Sequence, residues 1–215
     1  MLLRTLILSS FLISTSLFAA PVSEPEKMSE DNVHIRTWNQ FAQNILSFHQ
    51  QRIKGKDVDI KEKIGGYSHL PKFYKEQNVY LGKQLIATIM WERENPTQLH
   101  SIESFVYDDK GRITRDFIAA YLPHYHNAPT QTLISFHNYN DGLHAFRTFD
   151  ASGYRIIERC TGSYKGKDVD FILEEDEIAV GLDDIYQKQG VMMTKDYKNC
   201  FGDLQQEVGV YSTPQ

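Results

Sequence analysis

Several things are scarce in this 215-residue chain. It holds two cysteines, Cys160 and Cys200, too few for a four-thiolate zinc site and too far apart for a Cys-x-x-Cys redox pair. Positive charge is in deficit, with 23 Lys and Arg against 28 Asp and Glu and a net charge of −5. A chain without a basic surplus or a basic stripe is a poor candidate for nucleic acid or an anionic membrane surface. Beyond the first twenty residues no apolar run approaches the roughly 20 residues that a helix needs to cross a bilayer. Catalytic signatures are missing as well. There is no Gly-x-Ser-x-Gly elbow, no Walker loop, no dinucleotide fingerprint and no His-Glu-x-x-His pair. The acidic block Glu174-Glu175-Asp176-Glu177 lacks the alternating carboxylates and the turn glycine of a calcium loop and reads as a solvated connector.

What remains is ordinary globular material, 41% hydrophobic, 12% aromatic and 24% charged, enough for one domain. Its N-terminus is distinctive. Met1-Leu2-Leu3-Arg4 supplies a short basic start, Leu6 to Phe18 an uncharged run rich in apolar and hydroxyl residues, and Ala19-Ala20-Pro21 a small-residue end. This is the layout of a secretory signal peptide over 1–19, cut after Ala19, so the protein is expected to be exported to the periplasm or the cell exterior. The polar segment 20–32 carries two prolines and reads as a flexible leader. An exporting, oxidising route favours a Cys160–Cys200 disulfide. Closing that loop would stabilise the fold by about 4 kcal/mol on the chain-entropy model.

Hydrophobic periodicity sets the fold. Trp38, Phe41, Ile45 and Phe48 recur at helical spacing and predict an amphipathic helix over 33–52. Beyond residue 78 the period becomes two, as in Leu85, Ala87, Ile89 and Trp91 or Ile113, Arg115, Phe117, Ala119 and Tyr121. Turn signals divide the ladders at Asn95-Pro96, Asp109-Lys110-Gly111, Asn140-Asp141-Gly142, Ala151-Ser152-Gly153 and Lys165-Gly166-Lys167. The expected architecture is α+β, a single domain over 33–208: the helix packed on a twisted antiparallel meander of about six to eight strands. Leu85, Ile89, Trp91, Phe117 and Tyr121 are expected to face the helix. A short helical tail, capped by Thr194 and ended by Gly202, should be tied back by Cys200, with little else to hold it. Residues 209–215 are a terminal tail. The segment Lys-Gly-Lys-Asp-Val-Asp occurs twice, at 54–59 and 165–170, and reads as two turns leading into strands.

Four of the eight histidines fall within 124–144. Pro123-His124-Tyr125-His126 offers two imidazoles on an extended segment. If Asp141-Gly142 is a two-residue turn, Tyr139 faces His144 and His137 faces Phe146, which gathers three polar aromatics on one side of the sheet. A three-residue loop would send His137 and His144 to opposite faces. Imidazoles suit zinc or copper, so a metal-dependent hydrolase or metal-binding protein using His124, His126, His137 and His144 is the alternative, with no cofactor favoured. Glu92, Glu94 and Glu103 flank a turn and read as solvated, although two of them would suffice for glycoside chemistry. Arg112, Arg115 and Asp116 read as cross-strand charge partners. The preferred expectation is a non-enzymatic module that binds a protein partner or a small ligand on an aromatic-bearing sheet, around Tyr139 and the neighbouring histidines.

Overall fold

The computed structural model describes residues 33–174 and 194–208. The expected signal peptide 1–19, the leader 20–32, nearly all of the acidic connector and the tail 209–215 lie outside the described residues. The first element, α1 (Val33–Ile53), follows its sequence period closely. Ile35, Phe41, Ala42, Ile45 and His49 are buried, whereas Arg36, Gln40, Gln43, Ser47 and Gln50 are exposed. Arg52 stands in the last turn, where a cation complements the helix dipole. Trp38 and Phe48 are only half-buried. The Trp38 indole N–H donates to Ser152 Oγ at 3.3 Å, and the Phe48 ring meets Phe117 edge-on at 6.1 Å.

Among the described residues nine antiparallel strands then follow, each paired to its neighbours in sequence. They are β1 (Asp59–Tyr67), β2 (Leu70–Leu81), β3 (Gln84–Glu92), β4 (Leu99–Tyr107) and β5 (Ile113–Ala120), then β6 (Gln131–Asn140), β7 (Leu143–Asp150), β8 (Arg155–Tyr164) and β9 (Lys167–Glu174). The seven ladders from residue 84 onward match the alternation and the turn signals. β1 and most of β2 carry no such alternation, and only the turn at 54–59 points to a strand there. β1 forms the sheet edge and is exposed along nearly all its length, so Ile60 and Ile64 sit among Lys and Glu with no buried face to impose a period.

Register fixes two faces. On the first, Ile102 opposes Ala119, Phe117 opposes Ile134, and Ile134 opposes Phe149. Phe41, Ala42 and Ile45 of α1 share one buried cluster with these residues and with Ile86 and Ile89. Ile89, Phe117 and Tyr121 are buried in this cluster and Trp91 lies partly buried against it. Leu85 does not join it. A register shift between Val79 and Tyr80 breaks the alternation and brings Ile86 into the core in its place.

Further along the same face, Cys160 opposes Ala145 and Phe171 in the middle of β8. It is bonded to Cys200 across a Cα–Cα distance of 5.8 Å, within the usual range. Cys200 belongs to α2 (Lys195–Phe201), whose N-cap is Thr194, the side chain accepting from the Tyr197 N–H at 3.2 Å. Gly202 ends the helix in a right-handed conformation with φ −59°, so its backbone freedom is not what stops it.

The disulfide is far from the sole anchor of this tail. Arg147 and Glu158 oppose one another on β7 and β8 and both are fully buried. The Arg147 Nε donates to Glu158, while its other nitrogens reach the carbonyls of Leu204 (3.2 Å) and Gln205 (2.7 Å) and the Tyr197 hydroxyl (3.2 Å). That hydroxyl donates on to Glu158 Oε2 at 2.9 Å. Tyr197, Phe201 and Leu204 complete a second buried cluster with Leu143, Ala145 and Leu173.

The repeated hexapeptide takes two different surroundings. Its first copy leaves α1 and leads into β1, and its second turns β8 into β9. Gly55 (φ +70°) and Gly166 (φ +77°) are both left-handed, but only the second copy pairs its glycine with a left-handed lysine, Lys165 (φ +52°), in a hairpin turn. No described helix is long and apolar enough to cross a membrane.

Candidate functional site

The candidate site lies on the opposite face and is positioned by the β6–β7 turn. Asp141 (φ +46°) and Gly142 (φ +84°) are both left-handed, the requirement of a two-residue type I′ hairpin. Tyr139 therefore opposes His144 and His137 opposes Phe146, with Thr161 of β8 beyond His144. Gly162 completes the arrangement. A Cβ on Gly162 would collide with the Gly142 carbonyl oxygen, so only glycine lets the turn settle this close to β8.

Three side chains form a hydrogen-bonded line across three strands. Asp116 Oδ2 lies 2.6 Å from His137 Nε2, and His137 Nδ1 lies 2.9 Å from His144 Nε2. The two imidazoles are 5.2 Å apart and tilted by 16°. With their ring nitrogens bonded, that geometry places them edge to edge. The Tyr139 ring lies on His144 at 4.4 Å and 4°, and the Arg112 guanidinium covers the other part of the stack 4.6 Å from the Tyr139 centroid. Arg112 is itself held by Asp108 at 2.8 and 2.7 Å. Arg112 thus pairs with Asp108, and Asp116 pairs with His137, instead of the cross-strand Arg–Asp pairing that the sequence suggested.

With Asp116 ionised and both imidazoles neutral, the bonds define the tautomers. A carboxylate accepts, so His137 donates to Asp116 from Nε2. Its Nδ1 then accepts from the Nε2–H of His144, which leaves the His144 lone pair on Nδ1, an atom with no hydrogen-bond partner among the described residues. Burial lowers the His144 pKa, and the neighbouring His137 lowers it further. Glu103, on the same face, is pushed up to about 7, first by burial and then by the Asp116 charge. His144 borders an open cleft of about 430 Å³, together with Arg112, Tyr139, Asn140, Asp141 and Thr161.

His124 and His126 are not part of this site. The His124 backbone N–H donates to the buried Glu92 at 3.3 Å, and the His126 Nε2 lies 3.4 Å from the same carboxylate oxygen. Their neighbours are Phe73, Tyr121 and His100. His100 is buried and bonded to the Tyr67 hydroxyl, and no periodicity singled it out. The four histidines of 124–144 therefore divide into two pairs. Among the described residues no group of three His, Cys, Asp or Glu side chains is arranged to hold a metal ion. His137 also commits both ring nitrogens to protein partners, so a cation there would have to break one of those bonds. Glu92 and Glu103 are each withdrawn from water to different surroundings and do not form the flanking pair that glycoside chemistry requires.

No family model matches the sequence, and no curated protein matches it. Among solved structures, a DUF3836 family protein from Parabacteroides distasonis matches at 13% identity, over 58% of this chain and 98% of that one, with a TM-score of 0.25. A score that low carries neither fold nor activity across.

Proposed function

We propose that the chain is an exported binding module that takes a small hydroxyl-bearing ligand in the cleft beside the β6–β7 turn. The observation that carries this reading is the Asp116–His137–His144 line, which leaves an unpartnered imidazole nitrogen on a residue bordering that cleft. Such a nitrogen accepts a hydrogen bond from a hydroxyl, while Asn140 and Thr161 offer further polar contacts. Tyr139 is stacked on His144 and lies under the Arg112 guanidinium, so its role is to hold His144 in place. The Cys160–Cys200 bond and the N-terminal layout of the sequence support export.

A second reading has its own support. A carboxylate that orients one imidazole against another is also how a general base is set up, as Asp116 does for His137 and His144. Titrating the protein with neutral mono- and disaccharides while following the His144 ring by NMR tests the first reading. A saturable shift that disappears in His144→Phe is expected. No saturable shift with any sugar overturns it, and steady turnover of 4-nitrophenyl acetate that His144→Gln abolishes would make the site catalytic.

A further inference from the structure

A second cavity, of about 350 Å³, opens where the tip of the β1–β2 hairpin meets Arg93 and the loop carrying His124. Its lining is unusual in an acidic chain. Leu70, Pro71 and Phe73 supply apolar surface, while His69, Lys72, Arg93 and His124 bring cations or N–H donors, against one carboxylate, Glu94. Neither Lys72 nor Arg93 is engaged in an ion pair among the described residues. The Arg93 Nη1 donates to the Lys72 carbonyl at 3.0 Å and its backbone N–H to the Phe73 carbonyl at 2.9 Å, which holds the two cationic positions together. Phe73 is braced edge-on between His100 and His124, each ring 5.1 Å away.

The backbone singles out the same residues. Lys72 and His124 both have φ of +63°, a left-handed conformation that side chains disfavour and glycine accepts freely. Asp141 and Lys165, which share this feature, occupy hairpin turns that require it. Lys72 and His124 have local reasons as well: Lys72 stands where the β1–β2 register shifts opposite Gly66, and His124 follows Pro123 in a turn closed by the Tyr125 N–H on the Leu122 carbonyl. The bulge and the turn bring Lys72 and His124 to the lining of one cavity.

We propose that this cavity binds a small organic anion, with its apolar body against Leu70, Pro71 and Phe73 and its carboxylate or phosphate among Lys72, Arg93 and the imidazole N–H groups. An anion of either kind gains charge-assisted hydrogen bonds from these donors. The site is separate from the β6–β7 cleft, and neither reading depends on the other.

Benzoate, phenyl phosphate, inorganic phosphate and benzyl alcohol are the probes, titrated into the full chain by calorimetry and by NMR of the His69 and His124 rings. At least one aromatic acid is expected to bind saturably, ten-fold or more tighter than benzyl alcohol, and the tighter acid identifies the head group. Lys72→Gly and His124→Gly relax the backbone, so each should keep the thermal midpoint of the parent while weakening the acid ten-fold or more. Arg93→Gln should weaken it similarly. Equal binding of benzyl alcohol, or unchanged affinity in Lys72→Gly and Arg93→Gln, overturns the proposal. Inorganic phosphate binding as tightly as phenyl phosphate overturns the role of the apolar surface.

Discussion

The covered face of the sheet is closed in two different ways. Over β3 to β6, a 21-residue helix contributes Phe41, Ala42 and Ile45 to an apolar cluster. Over β7 to β9, a seven-residue helix contributes Tyr197, Cys200 and Phe201, and a disulfide and a buried ion pair stand alongside them. The difference is one of available surface. Two turns of helix bury too few side chains to offset the entropy of ordering the tail, so covalent and ionic ties supplement packing. The ionic tie also has a cost. Burying Arg147 and Glu158 is tolerable only because the guanidinium, carboxylate, Tyr197 hydroxyl and two tail carbonyls satisfy one another.

Breaking that pair should give the largest effect. Glu158→Ala leaves the Arg147 charge buried without its counter-ion and is expected to destabilise the protein by about 3–5 kcal/mol in urea unfolding. The double change Arg147→Met with Glu158→Leu should recover most of this loss. If the double variant is no better than the single one, the ion pair is a net source of stability and the comparison needs revision. Phe41→Ala is the matching test under α1, with an expected loss of about 3–5 kcal/mol from an unfilled cavity.

Removing the disulfide should come next. Cys160→Ala with Cys200→Ala is expected to cost about 2–4 kcal/mol. Hydrogen exchange should nevertheless find the α2 amides protected, because Arg147 and the second cluster continue to hold the tail. Free exchange throughout 194–208 would show that the crosslink alone secures it.

This last point separates what was legible in the sequence from what was not. The ladders from Leu85 to Leu173, the place of the Asp141-Gly142 turn and the cysteine pairing are readable because alternation, Asp-Gly and an isolated pair of cysteines are local or compositional signals, whereas the choice between a two- and a three-residue loop is not. Arg147 and Glu158 sit in alternating strands where a charge ordinarily marks the wet face, and no local feature announces a partner carbonyl at Leu204 or Gln205. Asp116 was misassigned for the same reason. Its nearest charges in sequence are arginines, but a diagonal neighbour on β6 claims it. β1 is announced only by the Lys-Gly turn at 54–59, because an edge strand needs no apolar period.

Smaller effects sharpen the contrast with the open face. Glu103 titrates near 7 in the folded chain against about 4.5 ordinarily, so the folded state holds the extra proton between those values. Stability should fall as pH rises through that window. Glu103→Gln should remove the fall and leave the variant more stable at pH 8 by about 1 kcal/mol, the side chain's partial exposure having reduced the effect, with no gain at pH 4. A pH-independent difference would mean that burial does not perturb this carboxyl. Least of all, Thr194→Ala should cost about 0.5–1 kcal/mol by removing the cap of α2, read as a shift in the denaturant midpoint.

The strictly sequential order of the nine strands bears on how the chain acquires its shape. Every strand finds its partner within one turn of itself, so pairing closes short loops and never waits for a distant segment. Such a chain has low contact order for a β-protein, and its folding can advance one hairpin at a time. Among the described residues the main long-range closures are α1 against the middle strands and the α2 tail against β7 to β9. Each of these joins a sheet whose ladder can already exist. The same logic makes the architecture extensible, since adding or deleting a hairpin at the exposed β1 edge would leave every other pairing in register.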